Sequence, residues 1–560
     1  MNINKRGKEV EKLCFFASTK NNNMSPKIKI KVGTRDSRLA LAQVEEVFSL
    51  LKAQKISLPF GIIKFKSKGD KDRTIPLSDP RIPDDFFTDT LDEALLKKQI
   101  DIAIHSAKDL PQKIREGLNI FALTKSLDET DAFVGKKKLA DLTKGAKVGT
   151  SSLLRKQSVK EINPKVAVVD VRGNIEERLS LLDKGKFAGL IVATCALKRL
   201  KLDHRIIEVL PWEATALQGQ LAVVGREDDK NLQAMFASID VRHQYGQVTL
   251  VGAGPGDPEL ITMKAINALK KADCVFYDYL VHKDLLDYAP LAEKIDVGKR
   301  KGEHTLPQEI LSRMMRQKAM EEKRVVRLKG GDPLIFGRGA DEIKYLQAYH
   351  IRVDVIPGIS SATGIPSILG IPLTARGISS SVAFLSGHEE SERHKDPQPV
   401  SIPKVDTIVF LMGLTKLNVI VRSLLKAGWE KNSPMIVISK GTRIDEKIVS
   451  GTIATIESLV EAEKLEPPAL MIVGEIVKFW DGQKRQESIL YLGTDPEKYK
   501  ILGQIIHFPM IEISPVTVDS RAATKLLKEL EQYHLIILTS RLRSNIFSSG
   551  WRRNVFLYKN

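Results

Sequence analysis

The stretch QVTLVGAGPGDPELITMKAINALKKADCVFYDYLV, residues 247–281, has the pattern of a strand, a glycine turn, a helix and a second strand. The strands are predicted over residues 247–251 and 274–280, where β-branched and aromatic residues are concentrated. The turn between the first strand and the helix contains Gly252, Gly254 and Gly256. Because glycine has no Cβ, a ligand could approach the backbone closely at this turn.

Apolar residues recur at every third position after the turn and predict a helix with one buried stripe, made of Leu260, Met263, Ile266 and Leu269. A strand end beside a helix start is where nucleotide-like ligands bind in α/β proteins. The third glycine comes one residue too early for the dinucleotide pattern, although Asp278 lies at the distance expected for a ribose contact. A dinucleotide site, a site for another small molecule and a plain tight turn all stay open at this point.

Length and composition set the broad class of the protein. The chain has 560 residues and is 42% hydrophobic, so about three or four domains with buried cores are expected. Its three cysteines, Cys14, Cys195 and Cys274, have neither disulfide-like nor metal-like spacing. This predicts a cytoplasmic protein without a metal site. No apolar run has membrane-spanning length, so no membrane association is expected.

The formal net charge of +18 has three possible explanations. Nucleic acid is one, a small polyanionic substrate is another, and a solvated basic surface is the third. The basic residues are scattered, with short clusters at 136–138 and 299–301, and no aromatic-rich RNA-binding pattern accompanies them. A nucleic-acid partner is therefore not expected.

Residues 27–245 carry polar side chains just beyond the ends of predicted strands. Lys108 and Asp109 follow the strand 101–105, and Arg172 follows a later one. The hydroxyl-rich turn 150–152 precedes a helix, which is typical of an anion site. Arginine can bind a carboxylate through two hydrogen bonds. The pattern predicts a cleft for an acidic ligand between two α/β lobes, whereas an ordinary surface ion pair is the alternative for Lys108 and Asp109.

The strings GTRDSRLAL, DIAIHSAKDLP, GTSSLLR and RGNIEERL resemble the motifs of porphobilinogen deaminase, also called hydroxymethylbilane synthase. The resemblance implies two lobes like those of periplasmic binding proteins. It implies that Asp109 is the catalytic carboxylate, which stabilises the cationic pyrrolenine formed as ammonia leaves. The acetate and propionate groups of the substrate would be held by Arg35, Ser37, Lys108, Arg155, Arg172 and Arg178.

That family also carries a third domain, whose cysteine anchors a dipyrromethane primer. Here the chain passes from LQGQLAVVGRED almost directly to the strand at residue 247. The anchoring cysteine is therefore absent, a dipyrromethane cofactor is in doubt, and Cys195 is predicted to be a core thiol. The N-terminal unit is predicted to make hydroxymethylbilane from porphobilinogen. The alternative is a module that binds pyrrole carboxylates without catalysis.

Residues 246–484 repeat the strand–turn–helix pattern and predict two α/β halves with mostly parallel sheets. The strings VGAGPGDPELIT, YDYLV, VGKRKGEH, VRLKGGDPLIFGRG, PGISSATG, GIPLTARG, FLMGL and PPALMIVGE resemble uroporphyrinogen-III C-methyltransferase. That family uses S-adenosylmethionine, so the resemblance favours this cofactor over a dinucleotide. It implies conversion of uroporphyrinogen III to precorrin-2, on the branch toward siroheme and cobalamin. It also implies a homodimer formed through this unit.

The methyltransferase resemblance assigns roles to individual residues. Asp278 would be the proton acceptor and Lys299 the proton donor. A turn-capping aspartate is the alternative for Asp278. The cofactor would contact Pro255, Gly330, Gly331, Asp332, Ile335, Ser360, Ser361, Met412 and Gly441.

The two ends of the chain are predicted to differ from the middle. Residues 1–26 are polar and basic and are expected to be a disordered leader. Residues 485–560 resemble the start of uroporphyrinogen-III synthase and predict a partial α/β unit. Because that family needs about three times this length to build two lobes, synthase activity is not expected.

Overall fold

The computed structural model describes residues 29–67, 85–111, 113–298, 307–387 and 401–482, together with four short strands beyond them. These residues form four five-stranded sheets and two two-stranded pairs. The chain divides into two compact units. The first contains residues 1–252, 263–329 and 333–357, and the second contains 253–262, 330–332 and 358–560. This architecture confirms that the protein is a multidomain α/β protein, as predicted.

The described strands before residue 246 coincide with aliphatic and β-branched runs. In chain order they are β1 (Ile30–Arg35), β2 (Phe60–Phe65), β3 (Ile102–Ser106), β4 (Leu118–Leu123), β5 (Asp131–Gly135), β6 (Lys147–Gly149), β7 (Ala167–Val169), β8 (Gly189–Ala193), β9 (Glu208–Val209) and β10 (Leu221–Arg226). The α-helices are α1 (Arg38–Ala53), α2 (Asp89–Leu96), α3 (Leu153–Ile162), α4 (Ile175–Asp183), α5 (Thr194–Arg199) and α6 (Lys230–Phe236).

These strands form two sheets, with the orders β2-β1-β3-β10-β4 and β7-β6-β8-β5-β9. In the first sheet β1, β2 and β3 are parallel, and β10 runs antiparallel to both of its neighbours. Parallel strands end at the same edge, so side chains that follow β1 and β3 are brought together. The likeness to periplasmic binding proteins stays a prediction.

The described strands after residue 246 are β11 (Gln247–Gly252), β12 (Cys274–Tyr277), β13 (Glu293–Asp296), β14 (Val325–Lys329), β15 (Arg352–Ile356), β16 (Val382–Ser386), β17 (Thr407–Leu411), β18 (Pro434–Ser439), β19 (Lys447–Thr452), β20 (Ala469–Val473), β21 (Ser488–Tyr491), β22 (Gln504–His507), β23 (Ile536–Ile537) and β24 (Val555–Phe556). The helices are α7 (Met263–Lys271), α8 (Gln308–Met320), α9 (Gly339–Gln347), α10 (Ser361–Ile368), α11 (Leu417–Lys426) and α12 (Ile456–Ala462).

The prediction of mostly parallel sheets is correct for one of these sheets and wrong for the other. The sheet β13-β12-β14-β11-β15 is parallel throughout. In the sheet β16-β17-β20-β18-β19, only β16 and β17 are parallel. A short loop joins β18 to β19, and such a loop can connect only antiparallel neighbours.

The predicted apolar stripe after the glycine turn was wrong at its start. Residues 258–260 form a separate 3₁₀ turn, and α7 begins only at Met263. Met263 lies in the first turn of α7 and is 71% exposed, whereas Ala265 and Leu269 are buried. The second strand ends at Tyr277, earlier than predicted, so Asp278 lies in the turn that follows it.

The predictions for the two ends of the chain fall mostly outside the described residues. Residues 1–26 lie entirely outside them. Beyond residue 485, β21 pairs with β22 and β23 pairs with β24, both in parallel. Within the described ranges, no helix combines the length and the apolar character that a membrane span needs.

Candidate functional site

Two glycine turns of the second unit are bridged to each other. The N–H of Gly331 donates to the carbonyl of Gly254 at 2.7 Å, and the N–H of Gly254 donates to the carbonyl of Gly331 at 3.3 Å. Both glycines have left-handed backbones, with φ of +84° at Gly254 and +68° at Gly331. Only glycine adopts this conformation without steric cost. Because the bridge is antiparallel, Pro255 in one turn lies opposite Gly330 in the other.

The turn 330–332 lies against the start of α10. The Oδ2 atom of Asp332 accepts the N–H of Gly358 at 3.1 Å. A Cβ placed on Gly331 would lie 3.8 Å from the nitrogen of Ser361, with nothing closer. Ser360 caps α10, and its Oγ accepts the N–H of Ala362 at 3.3 Å. Asp332, Ser360 and Ser361 therefore share one small region.

A third loop of the second unit meets the same helix. A Cβ on Gly441 would lie 2.7 Å from the Cδ1 of Ile365, which is on α10. A Cβ on Gly364, also on α10, would lie 3.5 Å from the Cγ of Pro255. The three loops thus converge on α10 and bring together most of the predicted cofactor residues. Met412 lies on the loop after β17, with a left-handed φ of +56°.

Two predicted residues cannot be placed in this cluster. Ile335 belongs to the first unit and is 40% exposed. Lys299 lies outside the described residues. Gly298, which precedes it, packs so closely against the backbone of Tyr279 that a Cβ would lie 2.4 Å from the nitrogen of Tyr279. The chain therefore leaves the described range beside the residue that follows Asp278.

Asp278 of the first unit has both a turn-capping contact and a cationic neighbour. Its Oδ1 accepts the N–H of Leu280 at 3.1 Å, and its Oδ2 lies 3.5 Å from the Nη2 of Arg327. The capping alternative is therefore realised, and the contact with Arg327 is additional.

Arg327 and Lys329 form a buried charged network that sequence reasoning missed. The carboxylate of Glu342, which is fully buried, lies 3.4 Å from the Nε of Arg327 and 2.9 Å from the Nζ of Lys329. Gln308 also donates to Glu342, at 2.9 Å. Burial, followed by the nearby Arg327, lowers the pKa of Lys329. The available signal was two cations at alternate positions of an apolar strand, which must share one face.

The predicted arginines of the N-terminal unit are close enough to affect one another. Burial, followed by the charges of Arg155, Arg172 and Arg35, lowers the pKa of Arg178 to about 10. Arg178 also donates from Nε to the carbonyl of Gly173 at 2.8 Å. Arg35 stacks over the ring of Phe87, at 5.0 Å from its centroid. The structure thus concentrates positive charge where the sequence predicts an acidic ligand.

Some predicted ligand residues also have structural partners. Arg155 makes a two-point ion pair with Asp131, at 2.9 and 2.6 Å. The Oε1 of Gln218 accepts both from Arg155, at 3.1 Å, and from Lys108, at 3.0 Å. Burial acts to raise the pKa of Asp131, but Arg155 and Gln218 lower it below its usual value. Ser37 caps α1 by accepting the N–H of Ala40 at 3.1 Å.

Three buried polar atoms near the same strand ends have no hydrogen-bond partner among the described residues. They are the Oγ1 of Thr34, the Nε2 of His105 and the Oγ1 of Thr150. Burial and the nearby Arg35 lower the pKa of His105 to about 4. Unpaired buried polar atoms are costly and are expected to be satisfied by water or a ligand.

Asp109 lies in the 3₁₀ turn that follows β3, immediately after Lys108.

The described cysteines do not fit an anchored dipyrromethane primer. Cys195 and Cys274 are both buried. Burial raises the pKa of each thiol, whereas a covalent anchor needs an accessible thiolate. Cys195 packs with Ala193, Ala196 and Leu39, as expected of a core thiol.

Comparison with known families finds a match for each of two stretches of the chain. Residues 30–234 match the family described as porphobilinogen deaminase, dipyromethane cofactor binding domain. Residues 247–457 match the tetrapyrrole (corrin/porphyrin) methylases.

Three curated relatives extend this result. A uroporphyrinogen-III C-methyltransferase from Methanocaldococcus jannaschii is 45% identical over 42% of this chain and 99% of its own length. An S-adenosyl-L-methionine-dependent uroporphyrinogen III methyltransferase from Methanosarcina barkeri is 44% identical over 43% of this chain and 96% of its own length. A siroheme synthase from Pseudomonas putida is 41% identical over 53% of this chain, which spans only 65% of that relative. The near-complete coverage of the two methyltransferases shows that the chain belongs to the uroporphyrinogen-III C-methyltransferase family.

Proposed function

We propose that the chain transfers methyl groups from S-adenosylmethionine to uroporphyrinogen III, giving precorrin-2 on the branch toward siroheme and cobalamin. The convergence of three loops of the second unit on α10 carries the proposal, because it gathers backbone amides, two serine hydroxyls and a carboxylate at one place. The proposed reaction follows the names of the two methyltransferase relatives, and the proposed branch toward siroheme follows the name of the siroheme synthase.

The residues present fit a methyl donor with an adenosyl group and an amino-acid group. Pro255, Gly331 and Gly441 leave the backbone of the three loops accessible, since each lacks a long side chain. Asp332 can accept from ribose hydroxyls, and the serines 360 and 361 can bond the amino-acid group. Gly330, Ile335 and Met412 would complete the contacts. When bound, S-adenosylmethionine would supply a methyl group from its sulfonium, and the neutral thioether would be the leaving group.

Asp278 would act on the acceptor carbon. Methylation makes the pyrrole carbon more positive until a proton is lost, and a fixed carboxylate stabilises that charge and accepts the proton. The Nη2 of Arg327 lies 3.5 Å from one oxygen of Asp278 and helps to fix its position. Lys299 is proposed as the proton donor.

The first test is turnover of uroporphyrinogen III with labelled S-adenosylmethionine. Asp278→Asn should lower kcat by about 100-fold or more while leaving affinity for S-adenosylhomocysteine unchanged. Asp284→Asn is the matched control, because Asp284 is an exposed aspartate of the same unit and should leave both quantities unchanged. Full turnover in the Asp278→Asn variant would exclude the proposed catalytic role. Absence of methylation in the wild-type chain would exclude the proposed function.

For the N-terminal unit we propose binding of carboxylate-bearing pyrroles, with formation of hydroxymethylbilane from porphobilinogen as its activity. The proximity of Arg35, Arg155 and Arg172 to Arg178, whose pKa is lowered by burial and by their charges, favours this second function. Arg35 ends β1, Ser37 follows it and Lys108 follows β3, so these residues belong to one sheet edge. The described cysteines are buried and do not fit a dipyrromethane primer.

Catalysis and simple binding are separated by Asp109. With porphobilinogen as substrate, Asp109→Asn should lower bilane formation by about 100-fold and retain affinity for the pyrrole. The Asp183→Asn control, at an exposed residue paired with Arg205, should behave like the wild type. A wild-type chain that binds porphobilinogen without releasing bilane would make the unit a binding module.

A homodimer through the methyltransferase is also proposed, and light scattering of the full chain would test it.

A further inference from the structure

The loop after β18 has an unusual backbone beside the glycine turn of the second unit. Lys440 and Thr442 have left-handed φ values of +52° and +65°. A β-branched residue is a true outlier in this region, since its Cβ substituents crowd the backbone. Such strain persists only where surrounding contacts impose it.

Several contacts impose the conformation of this loop. The Nζ of Lys440 lies 2.9 Å from Asp445 and 3.0 Å from Glu466. The N–H of Lys440 donates to the carbonyl of Pro468 at 2.7 Å. The N–H of Thr442 donates to the Oε2 of Glu446 at 2.9 Å. These bonds fix the loop from its own side, and Thr442 is left pointing its hydroxyl toward another loop.

The hydroxyl of Thr442 contacts the glycine turn. Its Oγ1 accepts the N–H of Asp257 at 3.1 Å. A Cβ on Gly256 would lie 2.8 Å from that Oγ1, so the two backbones approach as closely as a glycine allows. Asp257 and Gly256 directly follow Pro255, and Thr442 directly follows Gly441. One hydrogen bond therefore spans the two loops that carry these proposed cofactor contacts.

We propose that Thr442 is a positioning residue for the methyl donor. Its side chain sets the separation between Pro255 and Gly441, and the strain at its backbone is the cost of aiming the hydroxyl at Asp257. The inference rests on the proposed methyltransferase function, because the donor is the ligand whose pocket Thr442 would hold. Thr442 itself need not touch the donor.

The test compares three variants of the full chain by calorimetric titration with S-adenosylhomocysteine and by methylation kinetics. Thr442→Val keeps the shape but removes the acceptor, and it should weaken binding about tenfold and raise the KM for S-adenosylmethionine similarly. Its kcat at saturating donor should change less than twofold. Thr442→Ser keeps the acceptor and should restore binding to within about twofold of the wild type.

Thr452→Val is the control for loss of a threonine hydroxyl. Thr452 pairs with Pro434, at the opposite end of β18, and its hydroxyl contacts Thr455. Wild-type affinity in this variant and an unchanged melting temperature in all three are expected. Binding by Thr442→Val within twofold of the wild type would overturn the inference, as would equal weakening by the valine and serine variants. A wild-type chain that does not bind S-adenosylhomocysteine would overturn the proposed function and this inference together.

Discussion

His105 is a buried imidazole whose surroundings disfavour its protonated form. It is 5% exposed and lies near Arg35, and burial with this neighbouring charge lowers its pKa to about 4. The unfolded chain has the ordinary value of about 6.5. Between these two values the unfolded state binds the extra proton, so the folded state loses stability as the pH falls. Asp92 acts oppositely in the same range, because burial raises its pKa to about 6.

We therefore expect the stability difference between the wild type and His105→Asn to depend on pH. The free energy required to open β3 in the wild type should fall by about 3 kcal/mol, relative to the variant, as the pH is lowered from 7 to 4. Hydrogen exchange of the β3 amides measures this opening in the full chain. The contribution of Asp92 is common to both proteins and cancels. A difference that does not vary with pH would show that His105 titrates normally.

Residue types could be read from the sequence, whereas their partners could not. Arginines 155, 172 and 178 were predicted to serve one acidic ligand, which stays a prediction, and burial with the charges of Arg155 and Arg172 lowers the pKa of Arg178. That Arg155 is also bound by Asp131 depends on residues that are distant in the chain. The same limit hid Glu342, whose burial between Arg327 and Lys329 is set by helix packing.

At the scale of elements, the close contact between the 440–446 loop and α10 predicts that no side chain larger than that of glycine fits at position 441. A Cβ on Gly441 would lie within 3.0 Å of three carbon atoms of Ile365. Gly441→Ala should therefore shift α10 and weaken binding of S-adenosylhomocysteine about tenfold, since a 1 Å displacement in a site is expensive. Ile365→Val removes the Cδ1 and should recover part of the loss when combined with Gly441→Ala. If the changes in binding free energy caused by the two single substitutions simply add in the double variant, this contact is contradicted.

The positions of elements were more predictable than their directions. Strands β17 and β20 coincide with runs of aliphatic residues, which bury well on both faces of a sheet and can be recognised in the sequence. These runs do not show whether a neighbouring strand is parallel or antiparallel. The prediction of mostly parallel sheets was therefore wrong for β20, which is antiparallel to both of its neighbours. The stripe before α7 failed because a proline-led 3₁₀ turn separated Leu260 from the helix.

At the scale of the molecule, one buried cluster joins the deaminase-like part to the first methyltransferase sheet. It contains Leu95 and Ile120 from the former and Leu250, Phe276 and Met315 from the latter. All of these residues belong to the first compact unit. The sequence motifs separate two families at about residue 246, but the burial of apolar surface does not stop there. Burial on this scale couples the two parts energetically.

A polar contact beside this cluster is centred on Glu213. Its Oε2 accepts from the Nε and Nη2 of Arg313 at 3.1 and 3.0 Å. Its Oε1 accepts the hydroxyl of Tyr345 and, at 3.1 Å, that of Tyr349. Arg316 stacks over Tyr349, at 4.3 Å from the ring centroid. A single carboxylate of the N-terminal part thus satisfies donors on and just after α8 and α9.

We expect Glu213→Ala to loosen this junction by about 2 kcal/mol, because it removes the acceptor shared by a half-buried arginine and two tyrosines. Thermolysin cleavage of the connecting segment 240–246 should then accelerate about 30-fold, provided that opening is fast relative to cleavage. Glu227→Ala is the control, since Glu227 is an exposed glutamate of the same part and should leave the rate unchanged. Equal cleavage rates in the wild type and in Glu213→Ala would mean that Glu213 does not hold the two parts together. Faster cleavage would make Glu213 a specific link between the deaminase-like part and the methyltransferase, one that neither family's motifs encode.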